Sequence, residues 1–325
     1  MKVLSEIAKV IKENKKFVIS SHINPDGDSS GSQLAMYSIL KKMKKDVEII
    51  DTDPIPRIYK FLPFSEKKII KYDKNFDFDV AIILDCGNID RLGNILVDIK
   101  KIKNIINIDH HFSNTNFGSL NYVDGKASST GEMIFRFAKY LNLHIDHGTA
   151  KCLYVAIMTD TGNFKFENTT SEAFGSVAEL ISYGLHPGEI SKKIFENYTL
   201  NSMHLLGLSL ETLKKYAHGK VAYMFVTKEM FKATSTKSED TEGFVNHTRA
   251  IEGVDMGVFF RETENGTVKV SMRSKQLVDT NKIASYFGGG GHARASGCDI
   301  RGDLETVTKK VLNKIEEELE RIGVN

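Results

Sequence analysis

Short apolar runs recur through the first half of the chain. Phe17-Val18-Ile19-Ser20, Val47–Ile50, Val80-Ala81-Ile82-Ile83-Leu84 and Ile105-Ile106-Asn107-Ile108 are mostly continuous rather than alternating, which predicts strands buried on both faces. Helical spacing fills the gaps. Val3, Leu4, Ile7, Val10 and Ile11 form one amphipathic stripe, and further helices are expected over about 31–44, 130–141, 148–158 and 171–183, the last stopped by Gly184. Residues 53–66, with Pro54, Pro56 and Pro63, are expected to be irregular. Strands alternating with helices predict an α/β domain over 1–186, its parallel sheet flanked by helices. The pattern loosens at His186-Pro187-Gly188, and 187–200 is expected to link the domains. Residues 201–325 predict a smaller α+β domain. Its strands are expected at 221–226, 254–261, 267–273 and 298–300, and its helices near 239–251, 279–287 and 304–322. Glu264-Asn265-Gly266 is the turn between two of the strands.

Three of the first-half strands run into chemistry. The first leads into Ser21-His22-Ile23-Asn24-Pro25-Asp26-Gly27-Asp28, the third into Asp85, and the fourth into Asp109-His110-His111. In a parallel sheet the carboxyl ends share one edge, so distant loops can converge there. Asp160, in Thr159-Asp160-Thr161-Gly162 after a helix, adds another carboxylate. Each has an ordinary alternative: a solvated turn at 24–29, a helix cap at Asp85, a half-buried histidine at His110. Eight such coincidences at strand and helix ends are much less economical than one site. Carboxylates as close as Asp26 and Asp28 repel unless a cation lies between them. Carboxylate and imidazole donors without sulfur suit Mn²⁺, Mg²⁺ or Fe²⁺ better than structural zinc. The set is too large for one ion. Two ions sharing a carboxylate and a water would use it, and that arrangement hydrolyses phosphoesters.

Composition narrows the setting. The 325 residues are enough for two domains, and 41% hydrophobic content can fill two cores. A formal net charge of +2 provides no strong field for long nucleic acid or a membrane. Cys86, Cys152 and Cys298 are far apart, which excludes a zinc ribbon and disfavours a disulfide framework. With no apolar segment of signal or spanning length, a soluble cytoplasmic protein is expected.

The second half has no comparable acid cluster, so it is expected to bind rather than catalyse. Gly288-Gly289-Gly290-Gly291 brings backbone N–H groups together as an anion nest would, with His292, Arg294 and Ser296 as further donors. A plain flexible turn is the rival. Arg273, at a strand end, suits a phosphate or base edge, and Arg249 is a weaker candidate. Phe61, Phe64, Phe76 and Phe78 could stack on bases, but such aromatics are more often core.

Ser21-His22 through Asp28, Asp85-Cys86-Gly87, Asp109-His110-His111 and Thr159-Asp160-Thr161-Gly162 together resemble the four ordered motifs of the DHH phosphoesterase family. The glycine run with His292 resembles its DHHA1 domain, and the pairing resembles the branch that degrades nanoRNA and dephosphorylates 3′-phosphoadenosine 5′-phosphate (pAp). The resemblance implies one metal on His22, Asp26 and Asp85, and a second on Asp28, Asp85, His110 and Asp160, with Asp85 bridging. Asp109 would hold an imidazole from behind, and His111 would touch the scissile phosphate or protonate the leaving oxygen. No presumed ligand departs from the pattern. Mn²⁺ is the implied metal, with Mg²⁺ or another divalent ion as substitutes. Arg273 and Gly289, Gly290, Gly291 and His292 would hold the terminal nucleotide, and the cleft between domains would measure substrate length. Short single-stranded RNA, dinucleotides and pAp are the implied partners, with a homodimer as an open option. Cleavage of a cyclic dinucleotide such as cyclic di-AMP, or of its linear product pApA, would use the same ligands. A non-catalytic nucleotide sensor predicts loss of a ligand, and none is missing.

Overall fold

In the computed structural model, which describes residues 2–70 and 77–324, the chain divides into two units, Met1–Asn197 and Tyr198–Asn325. The first unit contains α1 (Lys2–Glu13), β1 (Lys16–Ser20), α2 (Gly27–Lys42), β2 (Asp46–Ile50), β3 (Lys68–Ile69), β4 (Val80–Leu84), α3 (Leu96–Ile99), β5 (Asn104–Asp109), β6 (Leu120–Val123), α4 (Thr130–Tyr140), α5 (His147–Asp160), α6 (Ser171–Ile181) and α7 (Pro187–Phe195). Its six strands are all parallel, in the order β3-β2-β1-β4-β5-β6. The continuous apolar runs follow from burial on both sides. In β4, Val80, Ile82 and Leu84 join the core under α2, α4 and α5, while Ala81 and Ile83 join a second core with Leu92, Ile95 and Ile99. The chain winds outward from β1 in one direction and then, from β4, in the other. The β1–β4 boundary is therefore the switch point of the sheet, where open α/β folds bind ligands.

Three helices approach unusually closely above this sheet. A Cβ on Gly27 would lie 2.3 Å from Thr159 Oγ1, one on Gly31 2.4 Å from the Cys152 carbonyl oxygen, and one on Gly131 2.4 Å from the Ala156 Cβ. Glycine is required at these positions because α2 and α4 rest directly on α5.

Several elements differ from the sequence expectation. The second helix starts at Gly27 rather than near 31, because Asp26 and Ser29 form a reciprocal cap around its first turn. Asp28 is therefore helical, not in a loop. Asp160 is the last residue of α5 rather than part of the loop beyond it. Ser129 caps α4, accepting from the Glu132 N–H at 3.1 Å. Within the expected 187–200 connection, residues 187–195 form α7, because Ile190 and Ile194 bury into the first core. Phe61 and Phe64 pack against that core and Phe78 against the second, so they act as core aromatics; Phe76 lies outside the described residues.

The second unit contains α8 (Leu200–Glu211), β7 (Lys214–Tyr216), β8 (Val221–Val226), α9 (Lys228–Thr234), α10 (Val245–Arg249), β9 (Met256–Glu262), β10 (Thr267–Ser274), α11 (Thr280–Tyr286), β11 (Gly290–His292), β12 (Ala295–Arg301) and α12 (Leu304–Arg321). Its sheet is mixed, in the order β11-β12-β10-β9-β8-β7, with only the β8–β9 pair parallel. The expected helix at 239–251 is broken. Only Val245–Arg249 is α-helical, because Gly243 takes φ +80°. The glycine run contributes β11, and the strand expected at 298–300 extends over 295–301 to pair with it.

Gly31→Ala tests the helix contact by sign. In an open helix interior this change stabilises by about 1 kcal/mol, whereas here the new methyl meets backbone and should cost about 1–3 kcal/mol. Urea unfolding that shows an unchanged or higher midpoint would refute the close packing.

Candidate metal centre

Three loops from the carboxyl ends of β1, β4 and β5 meet at the switch point. After β1, the His22 ring places Nδ1 2.7 Å from the Ile23 carbonyl oxygen. A carbonyl only accepts, so this nitrogen carries the proton and Nε2 presents its lone pair. That Nε2 lies 3.5 Å from Asp85 Oδ2 and 3.9 Å from Asp26 Oδ2. The His110 Nδ1 faces the Ala127 carbonyl at 3.4 Å in the same way. Its Nε2 lies 3.7 Å from Asp28 Oδ2, 3.6 Å from Asp85 Oδ1 and 3.6 Å from Asp160 Oδ2. These separations are too long for good hydrogen bonds. They approach those of donors sharing a cation at bonds of about 2.1 Å.

Asp85 connects the two sets. It follows β4 in a left-handed backbone conformation, φ +53°, with its N–H donating to the Ile108 carbonyl at 3.0 Å. Such a conformation costs a non-glycine residue about 1 kcal/mol or more. It turns the carboxylate so that Oδ2 faces His22 and Oδ1 faces His110. Burial alone would push this carboxyl up; when the His22, His111 and His110 imidazoles are protonated, the His22 hydrogen bond and their positive charge outweigh it and hold it well below the ordinary range.

Asp28 is driven the opposite way. Burial, followed by the charges of Asp85, Asp160 and Asp26, pushes its carboxyl well up. The start of α4 opposes this. The Thr130 and Gly131 N–H groups donate to Asp28 at 2.7 and 2.9 Å, and the Ser32 hydroxyl donates at 2.9 Å. The positive end of a helix is thus aimed at the acid cluster. The remaining excess of buried negative charge is what a bound cation would neutralise. Donor atoms of three groups lie within 4.8 Å of one another: His22–Asp26–Asp85, Asp28–His110–Asp160 and Asp85–His110–His111. Donor chemistry, burial and spacing all fit divalent metal.

His111 is held differently from the other two imidazoles. Its Nδ1 lies 2.6 Å from Asp109 Oδ1, while Asp109 Oδ2 accepts from the Asn114 amide at 2.6 Å. Asn114 also donates to Asn107, whose own amide donates to the Ile83 and Cys86 carbonyls. The His111 Nδ1 is thus committed to a carboxylate rather than to a backbone carbonyl. Cys86 is not a ligand: burial pushes its thiol up to about 12, and it donates to the Asn88 carbonyl.

Several positioning residues went unnoticed in the sequence. Asn168 donates to Asp160 Oδ2 at 3.0 Å and to the Ser128 carbonyl. Asp51, beneath the His22 loop, accepts from Ser20 Oγ, the Ser21 N–H, Gln33 and the buried Lys68. The one usable signal was Asn107, a polar residue inside an otherwise apolar strand. The others reveal themselves only through their partners.

In the second unit, Gly257, Arg273, Ala295 and His292 stand in register across β9, β10, β12 and β11. The Arg249 backbone rests on Gly257, where a Cβ would lie 2.6 Å from the Arg249 nitrogen. Fold geometry thus brings Arg249, Arg273 and His292 to one row; of the His292 side chain nothing is described. The glycines serve backbone packing. The Gly288 and Gly289 N–H groups donate to the Ser285 and Ala284 carbonyls and close α11. A Cβ on Gly289 would lie 2.2 Å from the Gly297 carbonyl, and one on Gly291 2.5 Å from that of Ala295.

Comparison with known proteins is consistent across the whole chain. Residues 16–157 match the DHH family N-terminal domain, and residues 218–321 match the DHHA1 domain. The chain is 33% identical over 324 residues to the bifunctional oligoribonuclease and PAP phosphatase NrnA of Thermus thermophilus, covering 99% of this chain and 95% of that one. It is 28% identical to the Bacillus subtilis protein of the same name, covering 94% and 99%. The crystal structure of an exopolyphosphatase-related protein from Bacteroides fragilis superposes with a TM-score of 0.90 at 30% identity, over 98% of each chain. With the acid–imidazole cluster at the β1–β4 switch point and both domain matches in order, the chain belongs to the DHH phosphoesterase family, in its DHH–DHHA1 form.

Proposed function

We propose that this chain is a Mn²⁺-dependent phosphodiesterase that degrades very short RNA to mononucleotides and removes a phosphate from 3′-phosphoadenosine 5′-phosphate. The observation that carries the reading is Asp85, whose two carboxylate oxygens face different imidazoles and so suit a bridge between two ions. The names of the two bacterial relatives support the substrate class. One ion would be held by His22, Asp26 and Asp85, the other by Asp28, Asp85, His110 and Asp160. Bound there, they would supply charge to the phosphate oxygens and acidify a water. His111, oriented by Asp109, donates a proton from Nε2 to the departing oxygen. Arg273 pairs with a substrate phosphate, with Arg249, Gly289, Gly290, Gly291 and His292 completing the nucleotide contacts. No helix among the described residues is long and apolar enough to cross a membrane.

Four outcomes test this. A time course with Mn²⁺ should consume an RNA dinucleotide and pAp rapidly and a 24-mer or cyclic di-AMP slowly. Preferential opening of cyclic di-AMP would instead assign a signalling role. Mn²⁺ should raise the Tm of the parent protein by relieving carboxylate repulsion, and Asp85→Ala should abolish both that rise and turnover; retained turnover would remove the bridge. Asp109→Ala should lower kcat about 10–100-fold, because the His111 ring loses its anchor. Arg273→Ala should raise KM with kcat little changed, and the reverse pattern would move Arg273 into the chemical step.

A further inference from the structure

Phe112 directly follows the Asp109-His110-His111 motif and is 86% exposed, more than any other large apolar side chain among the described residues. A single exposed apolar side chain is ordinary; what sets this one apart is its place directly after the motif. Its seat is specific, however. A Cβ on Gly125 would lie 2.6 Å from Phe112 Cδ1 and 2.7 Å from Cε1, so one edge of the ring lies against Gly125. The seat is also tied to the motif. The Asp124 N–H donates to the Asp109 carbonyl at 3.1 Å, and the Ala127 carbonyl receives the His110 ring. Phe112 thus lies beside the segment that orients a presumed metal ligand, with most of its ring open to solvent.

We propose that the open face of Phe112 is the stacking platform for a nucleobase, receiving the base of the nucleotide whose phosphate enters the metal centre. This rests on the phosphodiesterase reading above and adds a substrate contact to it. The chemistry is that of sequence-tolerant single-strand binding: every base has a π-face, so an exposed ring accepts any nucleotide while requiring that a base be present. The adjacency fits, because consecutive Cα atoms are about 3.8 Å apart, which places the platform one residue from the imidazole facing the phosphate. A base lies one ribose away from its own phosphate. The contact would make the centre a nucleotide phosphoesterase rather than one for any phosphate ester.

Kinetics and fluorescence test the platform separately. Phe112→Ala should raise KM for a diadenylate about tenfold or more and leave kcat within about twofold. It should leave KM unchanged for the same compound with an abasic sugar next to the cleaved phosphate. Phe112→Tyr should restore the low KM. The chain contains no tryptophan, so Phe112→Trp installs a single reporter. Saturable quenching by a diadenylate with a non-cleavable phosphonate linkage, and little by its abasic counterpart, is the expected result. Equal KM values for Phe112→Ala and the parent protein, or no quenching in a Phe112→Trp protein that still turns over diadenylate, would overturn the proposal. If the parent protein cleaves no dinucleotide, the phosphodiesterase reading fails by itself. Quenching by nucleotides would then still support stacking, and its absence would end that too.

Discussion

The charge balance around His110 is the constraint on which the rest of the first unit depends. Three carboxylates, from Asp28, Asp85 and Asp160, approach one buried imidazole nitrogen to within 3.6–3.7 Å. Buried charges of one sign are costly unless something opposite lies among them. Much of the local architecture supplies positive potential. Helix α4 points its first N–H groups at Asp28 and Asn168 donates to Asp160, whereas His22 and His110, with Nδ1 committed to carbonyls, turn Nε2 lone pairs into the same space as a cation's ligands would. These devices orient the carboxylates without neutralising them fully, which leaves a deficit that a divalent cation could fill.

That arrangement needs backbone precision that side chains alone could not provide. Asp28 reaches α4 only because Gly31 and Gly131 let α2 and α4 rest on α5, and Gly27 lets the start of α2 pass beside Thr159. The same contacts deliver Asp160, at the end of α5, to the cluster. Asp85 reaches both imidazoles only from a left-handed conformation that costs stability locally and is imposed by the surrounding sheet. The glycines and the strained aspartate thus serve one purpose: they bring three elements closer than ordinary packing allows.

The second unit uses glycine for a similar reason with a different result. Gly288 and Gly289 end a helix, and Gly289 and Gly291 let β11 lie against β12, so the run organises a sheet edge instead of a free loop. The pairing that seats the glycines also sets Arg273, His292 and the Arg249 backbone across one row.

The sequence by itself determined the parallel sheet of the first unit, because strands buried on both faces must be continuously apolar, and it exposed the eight acid and imidazole candidates, because strand ends of one sheet share an edge. It did not determine which ring nitrogen each histidine presents, that Asp28 and Asp160 are helical, or that Asn114, Asn168 and Asp51 hold the cluster in place. Those depend on partners far apart in the chain, such as Asp28 with Thr130 or Asp51 with Lys68, and a polar residue's partner is chosen by packing rather than by its neighbours in sequence. The glycine run was legible as unusual but not in its role, since a free nest and a tightly packed hairpin both require the absence of Cβ. Only the tertiary structure shows that Gly289 and Gly291 also pack against the neighbouring backbone, by what a Cβ there would strike.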